Sequence, residues 1–194
     1  MSIRHALLAI LDQGPCYGNQ LRAEYSRRTA DAWPLNAGQI YTTLDRLERD
    51  GLVRTGNRDA QGHLFYEISP TGRTEVSEWF HRPLDGVSLA RDDVATMVAL
   101  AVSLPGVDAA AVIRIQHSAA VHRAAALRSA QQDPNDGDIT LAASVIFDAR
   151  TAAADAEVAW LATVLSRLEA AGESAGVLPL DTVAPRRGRP RNTP

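Results

Sequence analysis

The chain has 194 residues, 45% of them hydrophobic, and carries a formal net charge of −3. Its apolar runs are much shorter than the roughly 20 residues of a transmembrane helix, so we expect no membrane span. The acidic balance argues against a protein that coats nucleic acid without sequence preference. Cys16 is the single cysteine, which excludes an intramolecular disulfide. With no visible targeting segment either, the sequence predicts a cytoplasmic protein.

Two helices are predicted at the start of the chain from the spacing of apolar residues. Residues 3–11 form the first, and the Gly- and Pro-containing stretch 14–18 interrupts the pattern. The second helix places Leu21, Tyr25 and Arg28 on one face.

A third helix is specified at both ends. Asn36 can cap its N-terminus while Gln39 reaches back in a capping-box arrangement, and Gly51 suits the left-handed position that follows a helix. Its core-facing stripe consists of Ile40, Leu44 and Leu47. The opposite face carries small polar and arginine residues, namely Gly38, Gln39, Thr42, Arg46 and Arg49. This composition suits a DNA major groove and its phosphates.

A hairpin and a fourth helix follow. Residues 52–55 and 64–68 are β-prone, and the polar stretch 56–63 joins them. Ser69 and Pro70 then supply an N-cap and a proline at the first helical position, so a new helix begins there. Helix, hairpin and helix in this order are typical of a winged helix-turn-helix.

The second half of the chain is predicted to be almost entirely helical, in the three Ala-rich segments 89–104, 107–132 and 138–171. The last would span roughly 50 Å as a single helix, which is too long for a domain of this size to cover. Homodimerisation through this helix is the economical explanation. The apolar residues available for it are Val145, Phe147, Val158, Trp160, Leu161, Val164, Leu165 and Leu168.

The predicted fold class is therefore mainly α with a small β-hairpin wing. We expect a winged helix-turn-helix DNA-binding domain in residues 1–85 and a helical dimerisation and effector domain in 86–171. Residues 172–194 are expected to form a disordered linker and a basic tail, because the linker is interrupted by Gly and Pro and the last ten residues hold four Arg and no acid.

Three motifs resemble the PadR family of transcriptional regulators. They are Gly14-Pro15 with Gly18, the run from Gly38 to Val53 that ends Leu-Glu-Arg-Asp-Gly-Leu-Val, and Phe65-Tyr-Glu-Ile-Ser-Pro-Thr-Gly72. More loosely, Ala-Glu-Val-Ala-Trp160-Leu161 resembles the end of the dimerisation domain of that family. The resemblance implies a dimer whose two recognition helices read inverted half-sites about 34 Å apart on double-stranded DNA.

In this interpretation, the third helix and the wing contact DNA. Tyr41 is then a phosphate or sugar contact, Arg46 reaches a base edge, Gln39 can address adenine and Arg49 serves the backbone. The full set of candidate contacts is Gln39, Tyr41, Thr42, Thr43, Arg46 and Arg49 on the helix, with Asn57, Arg58 and His63 on the wing. The alternative is a solvated surface in which the arginines pair with Asp45, Glu48 and Asp59.

The C-terminal tail contains Arg187-Gly-Arg-Pro190, which resembles an AT-hook. Gly188 would allow the backbone to sit deep in a narrow A·T minor groove, with Arg187 and Arg189 projecting along it. The alternative is a disordered basic tail that attracts DNA of any sequence by counterion release.

No catalytic or metal-binding pattern is evident, so we expect no enzyme activity, no cofactor and no metal. The five histidines lack the spacing of metal ligands. Members of the family commonly respond to aromatic or lipophilic small molecules, and four residues could line such a site here: Trp79, Phe80, Met97 and Trp160. Plain core packing is the alternative for these four.

Three functions remain in competition. The first is a dimeric repressor that occludes a promoter and is released by an effector. The second is an architectural protein that holds A·T-rich DNA with its hook-like tail. In the third, the winged helix is a protein-interaction module.

Overall fold

The fold is mostly helical, with one small antiparallel sheet, which confirms the predicted fold class. The computed structural model describes residues 2–84, 93–131, 141–172 and 176–181. The helices are α1 (Ser2–Leu11), α2 (Gly18–Arg28), α3 (Ala37–Arg49), α4 (Pro70–His81), α5 (Asp93–Ser103), α6 (Ala109–Gln131) and α7 (Leu141–Ala171). The strands are β1 (Cys16–Tyr17), β2 (Val53–Arg58) and β3 (Leu64–Ile68).

The chain forms two compact units. The first contains Met1–Trp79, Ser103–Gly106 and the segment that begins at Val177, and the second contains Phe80–Val102 and Val107–Gly176. In the first unit, the apolar stripes of α1, α2 and α3 share one core, since one face of each helix is apolar. Its most deeply buried side chains include Leu7, Leu8, Ile10, Leu11, Leu21, Tyr25, Ile40, Leu44 and Leu47.

The sheet has the strand order β1-β3-β2, and its first strand was missed by the sequence analysis. The stretch 14–18 was expected to be only a break between helices. Cys16 instead lies opposite Tyr66 and Tyr17 opposite Phe65, so the edge of the wing is joined to the residue before α2. A strand of two residues is too short to show a period-2 pattern, which explains the omission.

The hairpin is also longer than predicted. Strand β2 was expected to end at Thr55 but continues to Arg58, which pairs with Leu64 across an irregularity in the register. Asn57 and Arg58 are therefore strand residues and not part of the tip. Asp59 closes the shorter tip, because its Oδ1 atom accepts hydrogen bonds from the backbone N–H groups of Gln61 and His63.

In the second unit, α6 and α7 run antiparallel, as the ion pairs Arg114–Glu169, Arg123–Glu157 and Arg128–Asp155 indicate. Asp108 caps α6 by accepting a hydrogen bond from the N–H of Ala111 at 2.8 Å. The predicted starts of two helices, in 89–92 and 138–140, lie outside the described residues. The buried core here comprises Val94, Val98, Ile113, Ala120, Leu161 and Leu168.

Several of the apolar α7 residues that were predicted to form a dimer interface pack within the core of this unit. Leu161 and Leu168 are buried in its core, and Val158, Trp160, Val164 and Leu165 are partly buried against it. Large exposed apolar side chains occur instead at the start of α7, at Leu141, Val145 and Ile146.

Within the expected linker, residues Val177–Asp181 make defined contacts with the first unit. This segment, which we call the strap, lies against α2 in the first unit and is hydrogen-bonded to Gln20, Arg27 and Arg28. Its backbone carbonyls and the N–H of Asp181 complete a polar cluster on α2 that the sequence pattern does not reveal.

Candidate nucleic-acid interface

Helix α3 is fixed at both ends, as the sequence predicted. Asn36 Oδ1 accepts a hydrogen bond from the N–H of Gln39 at 2.9 Å, and Gln39 Oε1 accepts one from the N–H of Asn36 at 3.0 Å. Gly51 follows the helix with a φ of +71°, which only glycine adopts without strain. Because Ile40, Leu44 and Leu47 are buried, the opposite face of α3 is held toward solvent.

Arg46 is the arginine on α3 that is free to meet a ligand. Its side chain is exposed and makes neither an ion pair nor a hydrogen bond with any residue that the structure describes. Arg49, one turn later, donates from both Nε and Nη2 to Asp50 Oδ1 at 3.1 Å. The two arginines were predicted to lie on the same face of α3. Among the described residues, Arg49 has a partner and Arg46 has none.

The other candidates on α3 divide in the same way. Tyr41 is 47% exposed and Thr42 is exposed, so both can contact a ligand. Thr43 is half-buried and its hydroxyl donates to the carbonyl of Gln39 at 2.7 Å. The side-chain oxygen of Gln39 serves the capping box, whereas bidentate recognition of adenine requires both its oxygen and its nitrogen.

Tyr41 is positioned by close contact with the start of α2. A Cβ atom placed on Gly18 would lie 2.8 Å from Cε1 of the Tyr41 ring, so only glycine leaves room for the ring. Gly18, the first residue of α2, therefore helps to fix the position of the Tyr41 side chain on α3.

The wing presents an ordered histidine. His63 Nδ1 lies 2.8 Å from Asp59 Oδ2, and its ring stacks on Tyr17 with a centroid distance of 4.4 Å. Burial alone would raise the pKa of Asp59, but hydrogen bonds from His63 and Gln61 hold it below its ordinary value. Arg58 donates to the carbonyl of Gly62 at 2.8 Å, and Asn57 is exposed.

A cleft of about 300 Å³, which we call the wing cleft, opens between α3 and the wing. Its lining includes Tyr17, Tyr41, Arg58, His63 and Tyr66. Burial is the main cause that raises the pKa of Tyr17 and Tyr66, so both phenols stay protonated at neutral pH and can donate hydrogen bonds. Protonated phenols, an arginine and a histidine together form a set of donors suited to a phosphate group.

Sequence reasoning missed Tyr17 and Tyr66 as members of this site. Tyr66 could have been suspected from its position in the PadR-like motif Phe65–Gly72, but its burial in the sheet depends on the pairing with Thr55 and Cys16. Tyr17 could not have been found, because nothing local predicts β1. The tail residues Arg187 and Arg189 lie outside the described residues.

The four proposed effector residues are mostly core residues. Trp79, in the first unit, is buried and stacks on His5 with ring planes 7° apart. Phe80 and Met97 are buried in the second unit, where Trp160 is partly buried against the core. None of the four lines the wing cleft.

Three further features concern metal binding, the thiol and the membrane. Within the described ranges, no group of three or more His, Cys, Asp or Glu side chains is arranged to hold a metal ion. Cys16 is buried, and this burial raises the pKa of its thiol to about 12. No helix in the described part of the chain has the length and apolar character needed to cross a bilayer.

One region of the chain matches the model of a known protein family. Residues 7–78 match the model of the Transcriptional regulator PadR-like family. The probable transcriptional regulator Rv1176c of Mycobacterium tuberculosis is 29% identical over 99 residues, which is 50% of this chain. The match spans about half of that relative's length, 52%.

The solved structures to which this chain is similar include two proteins from Bacillus. Bacillus subtilis PadR in complex with operator DNA is 17% identical, with a TM-score of 0.41, covering 87% of this chain and 99% of that one. The same protein in complex with p-coumaric acid is 16% identical, with a TM-score of 0.38, covering 86% and 95%. The PadR-like regulator BC1756 of Bacillus cereus is 23% identical, with a TM-score of 0.38, covering 87% and 99%.

Proposed function

We propose that this chain is a PadR-like transcriptional regulator that binds operator DNA through α3 and the wing, as a homodimer in the cytoplasm. The match of residues 7–78 to the PadR-like family model supports the class. The observation that carries the proposal is the free, exposed side chain of Arg46 on a helix whose two ends are fixed. An exposed arginine that is paired with none of the described residues, on a helix whose ends are fixed, suits recognition of a guanine edge in the major groove.

In this proposal, the wing cleft binds the DNA backbone. Tyr41, Tyr17 and Tyr66 supply hydroxyl donors, and the ring of His63, oriented by Asp59, lies beside them. Contacts to phosphate fix the register of the protein on the duplex, while Arg46 and Thr42 read bases. The chain would then act by binding, not by catalysis.

The partner of α7 is, in our proposal, a second copy of the chain. Leu141, Val145 and Ile146 are 81%, 56% and 60% exposed, which is unusual for large apolar side chains on one helix. A two-fold dimer would bury them and place two α3 helices on inverted half-sites. Sedimentation analysis of Val145→Glu/Ile146→Glu should give a monomer where the unchanged protein gives a dimer.

We further propose repression relieved by a small aromatic molecule. Bacillus subtilis PadR has been solved with p-coumaric acid as well as with operator DNA, and this is the support for an effector of that kind here. Trp160 is the candidate for contact with it, because this aromatic residue is only partly buried. Quenching of tryptophan fluorescence by p-coumaric acid, compared between the unchanged protein and Trp160→Phe, tests the idea.

The experiment that tests DNA recognition is sequencing of genomic fragments captured by the full-length protein at about 150 mM salt, where nonspecific phosphate binding is weakened. We expect a few fragments that share an inverted repeat, and loss of that enrichment with Arg46→Ala. Broad enrichment of A·T-rich DNA without a repeat would instead favour the architectural function. Failure to capture any DNA would favour a protein-interaction module.

A further inference from the structure

The side chain of Tyr17 joins the start of α2 to the wing. Its ring lies nearly parallel to the ring of His63, with a centroid distance of 4.4 Å and an interplanar angle of 13°. It also meets the ring of Phe65 edge-on at 5.5 Å. Aromatic pairs in these two arrangements attract each other beyond the effect of the area that they bury. The Tyr17 ring therefore packs against the wing at two positions and is itself only 8% exposed.

The residue type at position 17 is unfavourable for the helix that follows it. Tyr17 is the N-cap of α2 and has extended backbone angles, but its side chain makes no capping hydrogen bond. Ser, Thr, Asp or Asn at an N-cap accepts such a bond and stabilises the helix. Thr would suit the strand β1 as well, because it is common in strands. A residue that breaks a local rule in this way is expected where its side chain has a role elsewhere.

The outer part of the wing is connected to the base of the hairpin through an irregular ladder. Thr55 pairs with Tyr66 and Arg58 pairs with Leu64, so three steps along β2 face two steps along β3. The extra residue makes this a β-bulge, which interrupts the ladder and bends the strand. The ladder alone therefore restricts the orientation of the wing tip, residues 59–63, less than a regular hairpin would.

The wing tip is internally well bonded, and His63 belongs to it. The N–H of Asp59 donates to the carbonyl of His63 at 3.1 Å, and Asp59 Oδ2 lies 2.8 Å from Nδ1 of the His63 ring. Both the backbone and the ring of His63 are thus fixed relative to Asp59. A contact that fixes this ring from outside consequently fixes the whole wing tip.

The start of α2 also meets α3. A Cβ atom on Gly18 would lie 2.8 Å from the ring of Tyr41, so consecutive residues of the chain contact the two parts of the candidate interface. We propose that Tyr17 is a positioning residue, whose ring sets the wing tip at a defined place relative to α3 so that both reach one duplex together. A wing ordered in advance loses less freedom on binding, and the difference appears as affinity. This inference rests on the proposed function, and it concerns the ring, whereas the hydroxyl contact proposed above is separate.

The stack between Tyr17 and His63 is tested by NMR spectroscopy without DNA. The ring current of an aromatic side chain moves the signals of protons that face it upfield. The carbon-bound ring protons of His63, assigned by their loss in His63→Gln, should therefore be shifted upfield in the unchanged protein. Tyr17→Phe should keep this shift, and Tyr17→Leu should remove it. A shift that survives Tyr17→Leu would overturn the stack and the proposal.

The effect on binding is measured by the anisotropy of a fluorescent duplex that carries an inverted repeat recovered by genomic capture. For the full-length protein, Tyr17→Leu should weaken binding about tenfold, because the wing tip must then be ordered on the DNA. Tyr17→Phe should weaken it only about twofold, through loss of the hydroxyl. In the background Asn57→Ala/Arg58→Ala, Tyr17→Leu should cost only about twofold more, since the position of the wing matters less there. In Arg46→Ala, on α3, the cost of Tyr17→Leu should stay about tenfold.

Two further variants separate positioning from stability. Tyr25→Leu is the matched control, because Tyr25 is another buried aromatic residue of α2 but does not line the wing cleft. It should lower the temperature of unfolding as Tyr17→Leu does, while its affinity stays within about twofold at a temperature where both variants are folded. His63→Ala removes the other half of the stack and leaves α2 unchanged. It should weaken binding as Tyr17→Leu does, and the double variant should be no weaker than either single one.

Undiminished affinity of both Tyr17→Leu and His63→Ala would overturn the inference. Equal losses from Tyr17→Leu and Tyr25→Leu would overturn it as well, because instability alone would then explain both. Failure of the proposed function looks different, since the unchanged protein would then prefer no genomic fragment over any other. That result would overturn the role of Tyr17 in binding while leaving the NMR evidence for the stack intact.

Discussion

Arg28 and Arg46 lie on consecutive helices and have opposite surroundings. Arg28 on α2 is fully buried, and its two Nη atoms are bonded to Glu24, the carbonyl of Ser103 and the carbonyl of Leu178. Arg46 on α3 is exposed and has no such bonds among the described residues. One arginine therefore completes the fold, whereas the other is available to the DNA partner that we propose.

The largest effect should come from the buried arginine. We expect Arg28→Ala to lower the free energy of unfolding by about 3–5 kcal/mol, because Glu24 would be left as an unpaired buried charge. Urea denaturation measures it. The double variant Glu24→Leu/Arg28→Leu should be less destabilised than Arg28→Ala, and a loss below about 1 kcal/mol for Arg28→Ala would contradict the assignment.

The exposed arginine should show the reverse pattern. Arg46→Ala is expected to weaken binding to a captured operator by about 1–3 kcal/mol while changing the free energy of unfolding by less than about 0.5 kcal/mol. Arg49→Ala is the control on the same helix, since Arg49 is paired with Asp50. It should weaken binding to all duplexes by a smaller, uniform amount. Equal effects of the two substitutions would remove the distinction between them.

The contact between α2 and α3 gives an intermediate effect. Gly18→Ala places a methyl group 2.8 Å from the Tyr41 ring and should cost about 1 kcal/mol of stability as the ring moves away. Adding Tyr41→Ala should relieve part of that cost, so the two changes will be non-additive in a double-mutant cycle. Strict additivity would mean that the ring and Gly18 do not touch in solution.

The smallest effect concerns the wing. The pKa of Asp59 is held below its ordinary value near 3.8 by hydrogen bonds that the folded hairpin provides. The contribution of the Asp59 carboxylate to the stability of the hairpin is therefore complete above the ordinary pKa. It is lost as the pH falls through the lower pKa of the folded state. In that pH range, hydrogen exchange of the Gln61 and His63 amides should accelerate relative to exchange of the core amides. Asp59→Asn should abolish that acceleration.

Much of the first unit could be predicted from the sequence, because its determinants are local. The capping box of α3 depends on residues three positions apart, and the burial of Arg28 follows from the helical spacing with Leu21 and Tyr25. Both were predicted and are confirmed.

Features that depend on distant parts of the chain could not be predicted. Strand β1 pairs with Tyr66 and Phe65, about fifty residues away in the chain, and the strap is bonded to Gln20, Arg27 and Arg28 on α2, about 150 residues before it. The sequence near residue 180 has the pattern of a linker, so the packing of the strap against α2 could not be predicted. The same limit explains why Tyr17 was missed in the wing cleft.

The burial of Cys16 has a practical consequence. This thiol is the only one in the sequence, and with a pKa raised to about 12 it hardly forms the reactive thiolate at neutral pH. A cysteine introduced at an exposed place such as Gln61→Cys would then be the single site of maleimide attachment in each protomer. Spin labels at the two wing tips of the dimer that we propose would report their separation directly, with and without DNA, and the natural cysteine would not have to be removed.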